Sequence, residues 1–496
     1  MRMTTVREVA ALLGDSSLVS QIESSLTGIS QDSRTAQPGD LYVALSGSRH
    51  HGIDFADEAK RNGAVAILSD RDSHTLPTIV VADPRRVLGP LASWFHHHPS
   101  RALDVYGVTG TNGKTSTAYL IDAGLRAAGV TSGLITGVEV RGRGEPRRAV
   151  RTTPEASDLQ QILATFAAQR LSAVAMEVSS HALALYRTAG THFGVGVFTN
   201  LDRDHLDFHA DMDAYYSAKA SLFTPGRCDS AVIGTDDEFG RRLAAEVDVP
   251  STTFSTSDAG ADFFVDDVRA DRAGTSFTLR CDLGTLPVRL RLLGHHQADN
   301  AAAAIAALYA GGVDVPSAID GIEKLDLVPG RLQPVDEGQP FVALVDYVHN
   351  TAGQRRLFPY LRSLTSGRVI VVMGATGERD PGKRDPLGFN AARQADVVIV
   401  TDESPHFDAA YDLREEVASG ARRARSAEVM TVADRAEAIA TAVARATPGD
   451  VVVIAGRGHD PVQVHGNVET PFDDRAALKS ALRQRQSVAP SWSSEG

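Results

Sequence analysis

Residues 104–129 read DVYGVTGTNGKTSTAYLIDAGLRAAG. An apolar run enters a turn punctuated by glycine, and Ala and Leu then recur at helical spacing, so the stretch predicts strand, loop and helix in succession. Glycines let backbone N–H groups turn toward an anion, and the helix start adds the positive end of its dipole. Gly110, Thr111, Asn112, Gly113, Lys114, Thr115 and Ser116 therefore form a candidate phosphate-binding loop. Lys114 would reach the β/γ-phosphates of a nucleotide and the Thr115 hydroxyl would reach Mg²⁺. The usual spacing wants a glycine six positions before the lysine. Val108 stands there, Gly107 comes one residue early, and Gly110 supplies a further flexible point.

Working outward, 496 residues suggest about three domains at roughly 150 residues each. Lys plus Arg number 50 and Asp plus Glu 62, a formal charge of −12. That acidic balance argues against nucleic acid or an anionic membrane surface as partner, since both call for a basic face. The two cysteines, Cys228 and Cys281, cannot build a disulfide scaffold or a cysteine-rich zinc site, and a reducing cytoplasm suits them. No run approaches the roughly 18 apolar residues of a membrane helix. The start, MRMTTVREVAALLGDSS, lacks the apolar stretch of a signal peptide. The expectation is a cytoplasmic protein without membrane insertion.

Further β-branched runs follow the loop: AVAMEVSS, GVGVFTNLD and SAVIGTDD, with helix-like stretches such as Ser157 to Arg170 between them. This alternation predicts an α/β domain, a mostly parallel sheet with helices on both faces. A second alternating set begins near Phe341 with FVALVDYV, RVIVVMG, DVVIVTD and DVVVIAG, and Pro329-Gly330-Arg331 is a natural hinge before it. The first hundred residues form a smaller mixed unit. The expected domains are 1–100, 101–332 and 333–496, with no internal repeat. The closing QSVAPSWSSEG reads as a disordered tail.

Three polar groups lie at or beyond strand ends: Glu177, His205 in TNLDRDHLDFH, and Lys219 in YYSAKASLF. Ligands of parallel sheets gather beyond the carboxyl ends of strands, so these groups can converge on the nucleotide. Glu177 suits Mg²⁺, a hard cation that prefers carboxylate oxygen. An ammonium cannot bind a cation. On chemistry alone His205 is as readily a surface histidine, and Lys219 a solvated helix residue.

GVTGTNGKTS, TTPEASD, MEVSSHALALYR, TNLDRDHLDFH, SAKASLF, VPGRLQPV, VDYVH and GRGHD occur in the order found in the Mur ligases. Over essentially its whole length the chain resembles that family, nearest the branch adding the third peptide residue to UDP-N-acetylmuramoyl-L-alanyl-D-glutamate in peptidoglycan precursor synthesis. DSRTAQPGDLYVALSG is similar to that branch's UDP-binding N-terminal domain. The resemblance implies three domains: a small mixed N-terminal one for the UDP substrate, a central ATPase-like one, and a Rossmann-like C-terminal one for the incoming amino acid. It implies an ATP-dependent acid–amino-acid ligase: ATP phosphorylates a substrate carboxylate, and an amine then attacks the acyl phosphate. Two Mg²⁺ ions are implied, with Thr115 on one and Glu177, His205 and a carbamylated Lys219 on the other. Asn300, Arg331 and Asp346 match positions that grip ATP. Thr152, Thr153, Ser179, Ser180 and Arg187 match positions that hold the muramoyl dipeptide, and Ser33 and Arg34 lie near the uridine diphosphate. Read from the residues alone, Ser179 and Ser180 are also good caps for the helix HALALYR.

By the same resemblance the amino acid meets Arg379, Glu403, Ser404, Pro405, His406, Gly456 and Asp460. Members using meso-diaminopimelate carry Asp-Asn-Pro-Arg where this chain has Glu403-Ser404-Pro405-His406, and the Arg pairs with the distal carboxylate. His406 lacks that fork. The expectation is therefore L-lysine or L-ornithine, with Glu403, Asp402, Asp408 and Asp460 as candidate anions for the distal ammonium. The alternatives are meso-diaminopimelate, or a paralogue with another acceptor or amino acid.

VDYVHNTAG departs from the family's Asp-Tyr-Ala-His-Thr-Pro, and Gln297 stands for a usual Asn. Competing readings are a folylpolyglutamate-synthase-like ligase, which lacks such an N-terminal domain, and a non-enzymatic nucleotide-binding scaffold. Retention of Lys114, Glu177, His205 and Lys219 together argues against the scaffold. An amidotransferase subunit would need a four-cysteine zinc ribbon. The expected partners are the UDP-linked dipeptide and a free amino acid, with a monomer favoured.

Overall fold

In the computed structural model, which describes residues 4–14, 24–47 and 50–488, Asp104–Thr109 is a strand and Lys114–Ala127 the helix after it. The strand is buried from Val105 onward. Such continuous apolar runs mark strands covered on both faces. The fold is mixed α/β with parallel-rich sheets.

By its internal contacts the chain divides into two compact units. One comprises Met1–Gly107, Val130–Gly196 and Ser221–Asp229; the other comprises Val108–Gly129, Val197–Ala220 and Ser230–Gly496.

The first unit contains a four-stranded parallel sheet of Gly28–Ser30, Asp40–Val43, Ala66–Ser69 and Thr78–Val80. Leu41, Val43, Ala66 and Leu68 pack there with Val6, Val9, Leu88, Leu91 and Ala156. Helix Pro84–Phe95 starts at Asp83, whose carboxylate accepts from the Arg85 and Arg86 N–H groups. A second sheet pairs Ala173–Glu177 in parallel with Ser132–Ile135, followed by the antiparallel strands Glu139–Arg141 and Arg147–Arg148. Gly107 has no role in the loop. It packs: a Cβ there would lie 2.5 Å from the Phe193 ring.

Strand Cys228–Gly234, which belongs to the second unit from Ser230 onward, pairs in parallel with Ser251–Ser255 and that strand with Phe263–Ala270. An antiparallel meander of Phe263–Ala270, Thr275–Cys281 and Gly284–Leu290 completes this edge. The sequence reading passed over this meander. Its signal is the in–out alternation along TSFTLRC, whose partly exposed strand needs only one apolar face. The strands expected after Phe341 form a six-stranded sheet in the order Gln333–Pro334, Val342–Asp346, Val451–Ala455, Val369–Met373, Val397–Val400 and Glu428–Thr431. All neighbours are parallel except the first pair. Apolar clusters cover both faces.

The expected tail needs one correction. Helix Asp474–Val488 continues through Gln486, Ser487 and Val488; the rest of QSVAPSWSSEG lies outside the described residues.

Candidate functional site

The loop is held by groups distant in sequence. Gly110 sits at φ +144 and Gly113 at φ +90, conformations that favour glycine. A Cβ on Gly110 would lie 1.9 Å from Thr199 Oγ1, and one on Gly113 2.4 Å from Asn300 Oδ1. The Asn112 N–H donates to Asn200 Oδ1 at 3.0 Å, and Thr199 Oγ1 donates to the Asn112 carbonyl at 2.7 Å. Thr111 Oγ1 donates to the Asp202 carbonyl at 3.2 Å. Lys114 Nζ donates to the carbonyls of Gly110 (2.9 Å) and Thr111 (2.8 Å), so its charge already sits within the loop. Thr115 and Ser116 are buried in the first helical turn.

Two of the other expected ATP residues, Arg331 and Asn300, meet this loop. Arg331 Nη2 donates to Thr115 Oγ1 at 2.9 Å, with its guanidinium 4.3 Å from the Tyr347 ring centroid. Asp346 is buried and accepts from the N–H groups of Leu332 (2.7 Å) and Val348 (2.8 Å), which ties the hinge segment to the following sheet. Burial raises its carboxyl above the ordinary range, against the nearby Arg331 charge. Asn300 Nδ2 donates to Gln297 Oε1 at 2.9 Å. Gln297, a departure from the family pattern, thus orients the side chain that faces Gly113.

Lys219 projects from helix Met212–Ala220 and is 1% exposed. Its Nζ donates to the Gly110 carbonyl at 2.7 Å and lies 4.7 Å from the Tyr215 ring centroid. Burial, then the Lys114 charge, hold the amine well below the ordinary lysine range. His205, at φ +55, is half-buried, with its ring edge-on to Tyr215.

Sequence reasoning missed Asp204 and Asn350. Asp204 Oδ2 accepts from Asn350 Nδ2 at 3.1 Å and faces His349 Nε2 at 3.4 Å, with Lys383 Nζ 3.6 Å from Oδ1. Burial opposes its ionisation, but His349 and the Lys383 charge hold the carboxyl well below its usual range. Asn350 also joins Asn112 at 3.1 Å. The signal available was the second Asp of NLDRDHLD, beside His205.

The acceptor candidates lie in the first unit. Glu177 ends its strand buried, and its Oε1 accepts from the Gly137 N–H at 2.9 Å. Thr153 Oγ1 donates to the Glu177 carbonyl (2.9 Å) and accepts from the Ser179 N–H (3.0 Å). Thr152 lies beside Gly137. Ser179 caps helix Ser180–Ala184, accepting from the Ala182 N–H at 3.2 Å, whereas the buried Ser180 hydroxyl finds no partner among the described residues. Arg187 pairs with Glu155 at 2.9 Å, a partner the sequence did not suggest. Ser33 Oγ donates to Glu58 at 2.6 Å, and the exposed Arg34 pairs with Asp32.

The amino-acid candidates lie in the second unit. Glu403 Oε1 accepts from Thr376 at 2.6 Å, while Oε2 is buried without a hydrogen-bond partner among the described residues. A Cβ on Gly456 would lie 2.5 Å from that oxygen. Pro405 is buried. His406 is held below its ordinary pKa by burial and then by the charge of Arg379, so its ring is neutral near pH 7. Burial raises Asp460 to about 6, opposed by Arg457 and reinforced by Glu403.

Among the described residues no three His, Cys, Asp or Glu side chains are grouped to hold a metal. Lys219 fits the implied ion only in altered form. A buried neutral amine can take up carbon dioxide and so become an anionic oxygen donor, and Thr115 already offers its hydroxyl to a cationic group.

A glycine-turned loop between strand and helix on a parallel-rich α/β sheet, with a buried lysine against its bend, is the arrangement of the nucleotide-using enzyme class. Residues 108–308 match the Mur ligase middle domain, 330–458 the Mur ligase glutamate ligase domain, and 25–95 the Mur ligase family catalytic domain. Over 494 residues the chain is 44% identical to the UDP-N-acetylmuramoyl-L-alanyl-D-glutamate–2,6-diaminopimelate ligase of Streptomyces coelicolor, covering 97% of each chain. The enzyme of that name in Corynebacterium efficiens is 43% identical over 478 residues, covering 92% of this chain and 90% of its own. A solved structure of a UDP-N-acetylmuramoyl-L-alanyl-D-glutamate–2,6-diaminopimelate ligase is 28% identical at a TM-score of 0.67, covering 98% of this chain and 100% of that one. The chain belongs to the Mur ligase family. It is an ATP-dependent ligase that forms amide bonds in peptidoglycan synthesis. Among the described residues no helix is long and apolar enough to cross a membrane.

Proposed function

We propose that this ligase adds 2,6-diaminopimelate to UDP-N-acetylmuramoyl-L-alanyl-D-glutamate through an acyl phosphate. Likeness along almost the whole chain to ligases named for that amino acid supports the reading. In the site, Arg379 stands close enough to His406 for its charge to lower the histidine's pKa. A guanidinium is thus available to a distal carboxylate although the Asp-Asn-Pro-Arg arginine is absent. This reading displaces the lysine or ornithine first expected from His406.

In the second unit Lys114 and the loop N–H groups would receive the triphosphate, and Asn300, Arg331 and Asp346 would orient it. Magnesium, once bound, would neutralise the repulsion between phosphate and carboxylate. Thr115 and a carbamylated Lys219 would hold it, while His205 and Glu177 keep the metal roles that the resemblance gives them. In the first unit Thr152, Ser180 and Arg187 are the groups offered to the acceptor. Glu403 and Asp460 would take an ammonium of the amino acid.

One specific observation favours a second reading, lysine or ornithine: the neutral His406 offers no charge to a carboxylate. The deciding experiment is phosphate release with ATP, Mg²⁺ and the UDP-linked dipeptide, across diaminopimelate, lysine, ornithine and neutral amino acids, with products confirmed by mass. Turnover with diaminopimelate alone upholds the proposal, and turnover with lysine or ornithine alone overturns it in favour of the second reading. Silence across the panel rejects both. His406→Arg should raise the preference for diaminopimelate over lysine in either case.

A further inference from the structure

One wall of the amino-acid site is the loop Asp402–His406, which follows strand Val397–Val400. Glu403 within it is 5% exposed and presents an unpartnered buried Oε2, so an ammonium delivered there would complete its hydrogen bonding. What aims that oxygen lies elsewhere in the chain. Strands Val462–His465 and Val468–Pro471 form a two-stranded sheet whose residues are exposed or half-buried. An isolated hairpin of this kind is marginal by itself.

The hairpin grips the loop at each step. Gln463 Nε2 donates to the carbonyls of Glu403 (2.9 Å) and Asp402 (3.2 Å). The Val464 N–H donates to Ser404 Oγ at 3.2 Å. The His406 N–H donates to the Val464 carbonyl at 3.1 Å, and the Gly466 N–H to the His406 carbonyl at 2.7 Å. His406 and His465 form a parallel bridge, with His406 held at φ +51. The loop is therefore tied to the hairpin by one bridge and the hydrogen bonds beside it, and the Ser404 oxygen accepts one of them.

We propose that Gln463 is a positioning residue for the incoming amino acid: it clamps the carbonyls of Asp402 and Glu403, in the two peptides that flank Glu403, and sets where the Glu403 carboxylate points. This rests on the reading of the preceding section that Glu403 receives an ammonium. A bound group shifted by about 1 Å loses most of a charge-assisted contact, so a clamp at the backbone governs affinity without touching the ligand. Ser404 holds the same loop as Gln463, through the Val464 N–H.

The test uses the full-length enzyme and the amino acid it turns over. Gln463→Ala should raise the KM for that amino acid about tenfold, the scale of one or two lost hydrogen bonds, while kcat and the KM values for ATP and the UDP-linked dipeptide stay within about twofold. Ser404→Ala should do the same more weakly, and the double variant should fall short of the product of the two effects, because both residues hold one loop. An unchanged amino-acid KM, or an equal rise for all three substrates, overturns the clamp. Should the wild type turn over no amino acid, the functional reading fails and hydrogen exchange decides the clamp. Amides of Glu403, Ser404, His406 and Phe407 should then exchange at least about tenfold faster in Gln463→Ala, and unchanged exchange overturns it.

Discussion

Lys219 Nζ donates a 2.7 Å hydrogen bond to the carbonyl of Gly110, in the bend of the phosphate loop, from a site only 1% exposed. For a lysine buried against a main-chain carbonyl, desolvation and then the Lys114 charge favour the neutral form and outweigh the Asp204 charge, which acts the other way.

Lys219→Ala is expected to reduce ligation by about a thousandfold or more, since charge stabilisation in a closed site is worth several kcal/mol. Phosphate release measures it, and near wild-type turnover would refute a role for Lys219 on the metal. Mass spectrometry of the intact wild-type protein at neutral pH should show the added carbon dioxide.

Gly113→Ala forces a side chain into φ +90 with its Cβ 2.4 Å from Asn300 Oδ1. Affinity for ATP should fall by about a hundredfold or more, as strain and displacement of Asn300 combine. Calorimetric titration with ADP checks this, and unchanged binding would remove Gly113 and Asn300 from the nucleotide site.

Asp460 titrates near 6 because burial outweighs Arg457. Its folded pKa lies above the unfolded value, so the folded state binds the extra proton between about pH 4 and 6 and stability from this group falls as pH rises through that window. For binding the sign reverses: the anion exists only above about 6. The KM for the amino acid should therefore rise as pH drops below 6, by at most about tenfold per unit, and Asp460→Asn should flatten that limb. A pH-independent KM in the wild type would exclude Asp460 from ammonium binding.

Arg435 donates through Nε and Nη2 to both oxygens of Asp474 at 2.7 Å, and neither side chain is exposed. Asp474→Ala leaves a buried guanidinium uncompensated and should cost about 3–5 kcal/mol. Scanning calorimetry should show the affected transition shifted down, and Arg435→Met/Asp474→Leu should recover most of it. Equal melting of Asp474→Ala and wild type would show that the pair contributes nothing.

Much of the architecture was legible in the order of residues because its causes are local. Apolar runs such as VIVVM and VVVIA demand burial on both faces, and glycines at 110 and 113 are readable where the main chain must take positive φ. The partners of those elements were not. Thr153, matched to the substrate by resemblance, links the Glu177 carbonyl to the Ser179 N–H, a contact no local pattern shows. Gln297, a departure from the family's usual Asn, accepts from and orients Asn300. His406 looked decisive for the amino acid, but the arginine whose charge reaches it comes from a different loop.

The sequence by itself determined the α/β alternation, the phosphate loop and the resemblance to the Mur ligases, since propensity, periodicity and glycine placement act over a few residues. Only tertiary structure decided the rest: that Lys219 loses its solvent, that Asp204 gains His349 and Lys383, and that Gln463 holds a loop about sixty residues earlier in the chain. Desolvation, charge pairing and hydrogen bonds across such separations depend on which surfaces meet. No window of residues encodes that by itself.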